Sequence, residues 1–556
     1  MLRRRTYIFV SGGVMSGVGK GVVTASIGAL LKASGLRVTA IKIDPYLNVD
    51  PGTLNPIEHG EVFVTKDGIE TDQDLGNYER FLDEDLTRLN VMTSGSVFQS
   101  IIARERALGY GGRTVEWVPD VPLEIIGRIK RASEAVNVFD SEAQTRGADV
   151  TLIEIGGTVG EYQNLLYLEA CRMMRMEAPN DVLLMLVSYL PVPPNLGEMK
   201  TKPTQYAVRS LNAAGLQPDI IICRSQNPID DRRKQKLSIA CSVRSEDMFA
   251  APNVSSIYEI PLRFAKEGVA DRVLEKLHFK KRSVDLRQWK ALTKRIRESE
   301  RPVRIGIVGK YASTGNFLLT DTYLSVLEAI KHAAWTIKRK PEIVWLNAEE
   351  LESSNGKIKQ PFKGLDGILV PGGFGTRGVE GKIRAIRYAR EKKVPYLGLC
   401  YGLQLATIEF ARHVLKRKDA HTTEIVPTCG YPVIHLMNEQ EERIKNKDYG
   451  GTMRLGAYPC LLQQGTLARK LYGKERIVER HRHRYECNPL YRCEFEAAGL
   501  LSSGLSPDGA LLEMIELKGH PFFLASQFHP EFLSRPFHPH PLFVGFLKAA
   551  AKRSRK

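Results

Sequence analysis

Short apolar runs alternate with helical segments along the whole chain. In the first half the runs fall at residues 7–10, 38–43, 150–155, 182–187 and 219–223. In the second half they fall at 303–308, 343–346, 367–370, 394–399 and 522–528. Strand-like runs alternating with helices imply α/β architecture, and the pattern predicts two doubly wound domains. Between the two sets, residues 280–301 are rich in charge and Pro302 precedes a fresh strand. The division expected is therefore 1–278, a linker at 279–301, and 302–556. No internal repeat and no long low-complexity segment interrupts it. Residues 445–451 are polar and glycine-rich, a candidate mobile loop.

Composition narrows the class. A chain of 556 residues exceeds one compact domain, and 43% hydrophobic with 26% charged residues is ordinary for soluble globular protein. The eight cysteines are scattered without metal-ligand spacing, so we expect them reduced, in a cytoplasmic protein. The start Met1-Leu2-Arg3-Arg4-Arg5 resembles a signal n-region, but the apolar run after it is too short for an h-region. No apolar stretch approaches the ~20 residues of a membrane helix. The net charge of +17 invites a nucleic-acid reading, yet most Lys and Arg are interleaved with acids. The one undiluted basic run is Lys552-Arg553-Ser554-Arg555-Lys556, a solvated terminus, and no zinc-finger, RRM or KH signature appears. Polyanionic small substrates such as nucleoside triphosphates explain the bias; no nucleic acid or membrane partner is expected.

The most specific pattern is Gly398-Leu399-Cys400-Tyr401-Gly402 after an apolar run, paired with Phe528-His529-Pro530-Glu531 downstream. Strand, sharp turn and helix around G-x-C-x-G form a nucleophile elbow with sulfur in place of hydroxyl. The helix N-terminus behind it favours a thiolate. His529 is the candidate general base, and Glu531, two residues on along an extended segment, its orienting carboxylate.

A second motif follows the first apolar run: Ser11-Gly12-Gly13-Val14-Met15-Ser16-Gly17-Val18-Gly19-Lys20-Gly21, opening an apolar helix at 22–31. Such a loop aims backbone N–H groups and a lysine at phosphates. A strict Walker A needs Gly at 14 and Ser or Thr at 21, so this loop is a variant and Mg²⁺ must find its ligands elsewhere. Asp74, in the polar loop Thr71-Asp72-Gln73-Asp74, and Glu154, at a strand end, suit a hard cation bridging ATP oxygens. In Lys200-Thr201-Lys202-Pro203-Thr204-Gln205 two lysines two apart on an extended segment point the same way, a candidate second triphosphate clamp.

Together these residues resemble the CTP synthase family over essentially the whole length. The resemblance rests on residues 12–21, Lys42-Ile43-Asp44-Pro45-Tyr46, 59–64, 74–81, Glu154-Ile155-Gly156-Gly157-Thr158-Val159-Gly160, 200–205, 370–375, 450–456, 480–486 and 527–531. It implies an N-terminal, P-loop-like amidoligase that phosphorylates O4 of UTP with ATP and lets ammonia displace the phosphate. It also implies a C-terminal class I glutaminase that supplies the ammonia through a Cys400 thioester. The whole would be a carbon–nitrogen ligase of pyrimidine nucleotide biosynthesis, using L-glutamine as amido donor and channelling ammonia internally. GTP would be an allosteric activator, and the assembly a homotetramer able to form filaments.

Residue by residue, Gly17, Val18, Gly19, Lys20, Gly21, Lys42 and Asp74 match the family's ATP positions, and Asp74 and Glu154 its Mg²⁺ ligands. Ser16, Glu161, Tyr162, Gln163, Lys200, Thr201, Lys202, Pro203, Thr204, Gln205 and Lys236 fall at its UTP and CTP positions. Gly372, Gly373, Tyr401, Gly402, Leu403, Gln404, Glu424 and Arg484 match its glutamine positions, with backbone N–H groups near Gly372, Gly373 and Tyr401 as oxyanion donors. In Arg480-His481-Arg482-His483-Arg484 the first four are expected to be structural, and residues 445–451 take the place of the lid loop. The chain departs from the family at Gly160-Glu161-Tyr162-Gln163-Asn164, where G-D-I-E-S is usual. It also departs over 104–120, where Ala107-Leu108-Gly109 replaces R-G-D and Asp120 a histidine, and at Gly17, a serine in many members. CTP feedback and channelling are the properties those departures touch. Two rivals remain: an adenylating amidotransferase, suggested by Ser11-Gly12-Gly13-Val14-Met15-Ser16, and a nucleotide-sensing scaffold.

Overall fold

The computed structural model describes residues 4–135, 147–310, 313–314, 317–318, 320–353, 361–437, 440 and 450–554. Most of the candidate lid at 445–451 and the last two residues of the basic tail lie outside these. The chain forms two compact units, one of residues 1–50 and 74–293, the other of 51–73 and 294–556.

The first unit is built on seven parallel strands. Their spatial order is Val91–Thr93, Val38–Asp44, Val150–Ile155, Thr6–Gly13, Val182–Tyr189, Ile220–Ser225 and Met248–Pro252. Every residue of Thr6–Gly13 and Val150–Ile155 is buried, as expected of strands covered on both faces. Alternate residues serve opposite faces. Phe9, Ile43, Ile153 and Leu184 join one core with helices Ser94–Arg106, Asp120–Glu134, Leu165–Glu177 and Lys202–Ala213. The other face carries Lys20–Ala33, against which Ile260–Lys266 and Val269–Lys276 pack. Doubly wound architecture therefore holds here, and it gathers the carboxyl ends of the strands, with their loops, along one edge.

The charge-rich stretch read as a linker contains the helix Arg287–Glu298. Trp289 is buried on it, its ring 5.4 Å from Phe81 and 6.5 Å from Tyr258. The charges cover the outer face of an amphipathic helix.

The second unit has a nine-stranded sheet in the order Lys340–Asn347, Pro302–Gly309, Gly367–Val370, Tyr396–Leu399, Phe523–Ser526, Leu512–Leu517, Leu500–Leu505, Arg454–Leu462 and Arg476–His483. The first five are parallel and the rest antiparallel. Helices Leu324–Thr336 and Pro541–Arg553 share one core, and Val379–Glu391 and Tyr401–His413 the other. To this unit belongs the hairpin of Val62–Val64 and Glu70–Asp72. Phe63 packs 5.0 Å from Phe532, Arg480 donates to the Val64 carbonyl at 3.0 Å, and Glu61 accepts from Ser325 N–H at 3.0 Å.

Three local expectations are corrected. Thr71 and Asp72 lie in a strand and Asp74 in the first turn of the helix Gln73–Leu82, rather than in a polar loop. Lys202 and Pro203 open the helix Lys202–Ala213, so the two lysines are not on an extended segment; proline in a first helical turn costs no hydrogen bond. Pro530–Leu533 is a 3₁₀ turn, so Glu531 reaches His529 by curling back.

Candidate active sites

In the second unit Cys400 joins Tyr396–Leu399 to the helix Tyr401–His413 with φ 49° and ψ −97°. A non-glycine residue there costs roughly 1–3 kcal/mol. The conformation is held by Cys400 N–H donating to Ser526 O at 2.7 Å, while its own carbonyl accepts from Leu403 and Gln404. The flanking glycines are steric requirements. A Cβ on Gly398 would meet the Tyr396 hydroxyl at 2.6 Å and the Ala525 Cβ at 2.9 Å, and one on Gly402 would strike the Val370 carbonyl.

His529 Nδ1 pairs with Glu531 Oε1 at 2.7 Å, which makes Nδ1 the protonated nitrogen. Nε2 is buried without a hydrogen bond to a described residue. Burial pushes the imidazole pKa down, but the charges of Glu531 and then Cys400 outweigh it and carry it up to about 10. Near neutral pH the ring therefore holds a second proton that a leaving amine can take. Around the sulfur, Gln527 Nε2 donates to Sγ at 3.5 Å and the Arg482 carbonyl lies at 3.7 Å.

A cavity of about 540 Å³ opens over the cysteine. Of the expected glutamine positions, Gly372, Gly373, Gln404, Glu424 and Arg484 line it with Cys400 and His529. Tyr401, Gly402 and Leu403 are buried in the elbow helix instead. Arg484 is aimed by Gln440 Oε1 at 2.7 Å and Thr452 Oγ1 at 2.9 Å, and Gln404 by the Tyr485 carbonyl at 2.8 Å. Arg480 donates to the Val64 carbonyl and Arg482 pairs with Glu70 at 2.8 Å, while Arg482 and His483, expected to be structural, also line the cavity. His481 and His483 are buried and 3.1 Å apart; burial depresses both, His483 to about 3. Residues that sequence reasoning missed also line the cavity: Thr53, Glu61 and Val62, from the stretch before the hairpin and its first strand. Gln527 was missed too, although it stands two residues before His529.

In the first unit the glycine-rich loop runs from Thr6–Gly13 to Lys20–Ala33, with Val14 at φ 82°, Gly17 at 69° and Gly19 at 90°. Position 14 thus keeps the left-handed backbone that glycine adopts freely, at a cost its β-branched side chain incurs. Lys20 is buried and donates to the Gly157 carbonyl at 2.6 Å; burial lowers its pKa, with Glu154 opposing. Gly21 has a direct reason: a Cβ there would lie 2.7 Å from the Asp74 Cγ and closer still to its Oδ1. The hydroxyl of a strict Walker A has no room because Asp74 occupies it.

Asp74 and Glu154 converge on the Lys42 ammonium, Asp74 by direct pairing and Glu154 at 3.3 Å. The Tyr78 hydroxyl donates to Glu154. Burial raises Glu154, while for Asp74 burial is overcome by Lys42, which holds it down. Two converging carboxylates beside a phosphate loop offer the hard oxygen donors that suit Mg²⁺.

Of the nucleotide positions, Ser16 and Lys202 are exposed, Thr204 is buried with its hydroxyl 2.8 Å from Ser188, and Gln205 donates to Thr201 at 3.2 Å. Glu198 pairs with Lys200 at 2.7 Å and with Arg233 at 3.5 Å. At the divergent stretch Glu161 folds back to accept from Thr158 N–H at 2.7 Å and from its hydroxyl at 2.6 Å, leaving Tyr162 exposed. Asp120 pairs with Arg113 and accepts from Glu116 N–H at 2.9 Å, which holds its pKa down at about 2. Among the described residues no helix is long and apolar enough to cross a membrane.

Residues 6–279 match the family model described as CTP synthase N-terminus, and residues 318–549 the one described as glutamine amidotransferase class-I. A CTP synthase of Thermosynechococcus vestitus is 50% identical over 551 residues, 99% of this chain and 98% of that protein. One of Prochlorococcus marinus is 49% identical over 548 residues, 98% of this chain and 95% of that protein. Among solved structures, the glutaminase domain of Trypanosoma brucei CTPS with bound acivicin is 38% identical, covers 45% of this chain and 94% of its own, and has a TM-score of 0.42.

Proposed function

This chain belongs to the CTP synthase family, and we propose that each half of that family's reaction is carried out by the residues described above. The overall reaction aminates UTP to CTP at the expense of ATP, with nitrogen from L-glutamine.

For the glutaminase half, the Cys400 thiolate, its proton already resting on His529 Nε2, attacks the amide carbon of glutamine held by Arg484 through its carboxylate. The carbonyl π pair becomes an oxyanion facing the Gly372 and Gly373 N–H groups. As the C–N bond breaks, the proton on His529 Nε2 leaves with the nitrogen as ammonia. His529 then takes a proton from water as that water attacks the thioester, so it acts as acid first and base second. The observation that carries this reading is the His529–Glu531 pair at 2.7 Å beside a cysteine locked at positive φ in the same cavity.

For the amidoligase half, Lys20 and the amides of residues 17–21 hold the ATP phosphates. Lys42 carries the charge of the phosphoryl group as it passes to O4 of UTP. Asp74 and Glu154 would hold Mg²⁺, which would supply positive charge against the developing phosphate charge. Lys200, Lys202, Gln205, Ser16 and Lys236 would take UTP, with Glu161, Tyr162 and Gln163 at positions that contact UTP or the product CTP. GTP activation, a homotetramer able to form filaments, and cytoplasmic residence complete the proposal.

The test is CTP formation from UTP, ATP and Mg²⁺ fed with ammonium or glutamine, each with and without GTP. CTP from both nitrogen sources, with GTP raising only the glutamine rate and with ADP and phosphate as co-products, is expected. AMP and pyrophosphate would point to adenylation, and no CTP with nucleotides still bound to a sensor or scaffold.

A further inference from the structure

Lys310 immediately follows the strand Pro302–Gly309 and is only 8% exposed. Its Nζ donates to the Phe374 carbonyl at 2.5 Å and to the Gly375 carbonyl at 2.8 Å. The Tyr401 hydroxyl donates to that same Gly375 oxygen at 2.9 Å, and the Gly375 N–H donates to Glu424 Oε1 at 2.8 Å. Both polar groups of Gly375 are therefore held by side chains. Nζ also lies 5.0 Å from the centre of the Tyr401 ring, at the start of the helix behind Cys400. Withdrawing an ammonium from water is costly unless its donors are used, and here two go to adjacent carbonyls of one short loop.

That loop borders the reacting sulfur. Gly372 packs so closely that a Cβ would come 2.8 Å from His529 Cε1, and the Gly373 N–H makes no hydrogen bond with a described residue. A glycine-rich loop rotates easily unless its polar groups are tied. We propose that Lys310 is a positioning residue for glutamine hydrolysis, its ammonium fastening the Phe374 and Gly375 carbonyls so that the preceding amides stay aimed at the oxyanion. The inference rests on the thioester reading of Cys400. Lys310 gives up no proton in the cycle: the S–C bond forms, the π pair moves to oxygen, and the departing proton comes from His529.

The charged and titratable groups facing Lys310 are Glu424, Arg377, Glu349 and Glu352, with Lys382 and the Tyr401 and Tyr323 hydroxyls packed beside it. Burial brings Lys310 down to about 8, with Glu424 opposing. The clamp is thus charged below about pH 8 and lost as pH rises through that value.

The full-length protein tests this with glutamine hydrolysis by K310M, K310R and, in parallel, C400A. K310M should lose on the order of 10–10²-fold in kcat with KM little changed, the scale of weakened oxyanion donors. Alkylation of Cys400 by iodoacetamide, read by mass spectrometry of its peptide, forms no oxyanion and should keep its rate. K310R should retain most of kcat and, because guanidinium does not titrate here, hold its activity above the pH at which the wild type declines. A wild-type kcat in K310M overturns the inference, as does alkylation slowed as much as hydrolysis. So does a K310R basic limb coinciding with the wild type, which decides alone if K310M does not fold. Hydrolysis surviving in C400A would instead overturn the thioester reading.

Discussion

Replacing Gly21 by serine would give the phosphate loop the lysine–serine pair of a Walker A, and we expect this apparent repair to destroy the synthetase. A Cβ at position 21 would sit 2.7 Å from Asp74 Cγ, where carbon atoms rest at about 3.5–4.0 Å. Asp74 must therefore retreat by about 1 Å. It is not free to do so, because it is paired with the Lys42 ammonium, on a side chain only 6% exposed. Separating such a buried pair costs about 3 kcal/mol. That corresponds to a loss of about 10²-fold in rate if the pair's geometry is needed for phosphoryl transfer. CTP formation from UTP, ATP and ammonium isolates this step, and glutamine hydrolysis by the other unit reports on folding. Gly21→Ala carries the same Cβ without a hydroxyl and should fail equally. If both variants kept ammonium-dependent rates within a few-fold of wild type, the steric reasoning would be refuted. If serine worked and alanine did not, the hydroxyl would be serving as a ligand in place of Asp74.

Cys400→Ala should abolish glutamine-dependent CTP formation and spare the ammonium-dependent reaction; loss of both rates in a folded protein would refute the two-site assignment. Glu531→Gln removes the charge that lifts His529. With its pKa raised from 6.5 to about 10, the folded-state proton stabilises the protein below pH 6.5, and that stabilisation is lost as pH rises through about 10. In the variant that support is lost and the His529 pKa falls, so the basic limb of glutamine hydrolysis should move to lower pH, with kcat down by 10²-fold or more; an unchanged pH profile would contradict this. Trp289→Ala should cost the first unit about 3–5 kcal/mol in denaturant unfolding, and a loss under about 1 kcal/mol would mean the ring is not seated between Phe81 and Tyr258.

Much of the site was legible because it is local. The two glycines flank Cys400 within five residues, so G-x-C-x-G survives as a readable string, although some of the groups that demand them, Ala525 and Val370, lie far away in the chain. His529 and Glu531 are two residues apart and meet through a single 3₁₀ turn, although the turn itself was read as extended chain. Lys310 and Gln527 escaped notice for the opposite reason. Lys310 acts on carbonyls 64 and 65 residues away and Gln527 on a sulfur 127 residues away, and no spacing rule links them. The one available signal for Lys310 was its place directly after an apolar strand, where α/β sheets build their sites. The amphipathic helix Arg287–Glu298 was hidden by its charges, since three buried residues on one face are outvoted by composition.

Sequence alone determined the alternation of strands and helices, the two phosphate and thiol motifs, and the family, because each is written in residues near one another or in strings long enough to exclude chance. Tertiary structure alone decided that residues 51–73 belong with the second unit. It also decided that Asp74 fills the space a Walker hydroxyl would need, that Tyr401, Gly402 and Leu403 support rather than line the cavity, and that the His529 proton is held by Glu531 against the pull of burial. Those outcomes depend on distances between groups far apart in the chain and on how much water reaches them, and neither quantity is encoded in any local stretch of residues.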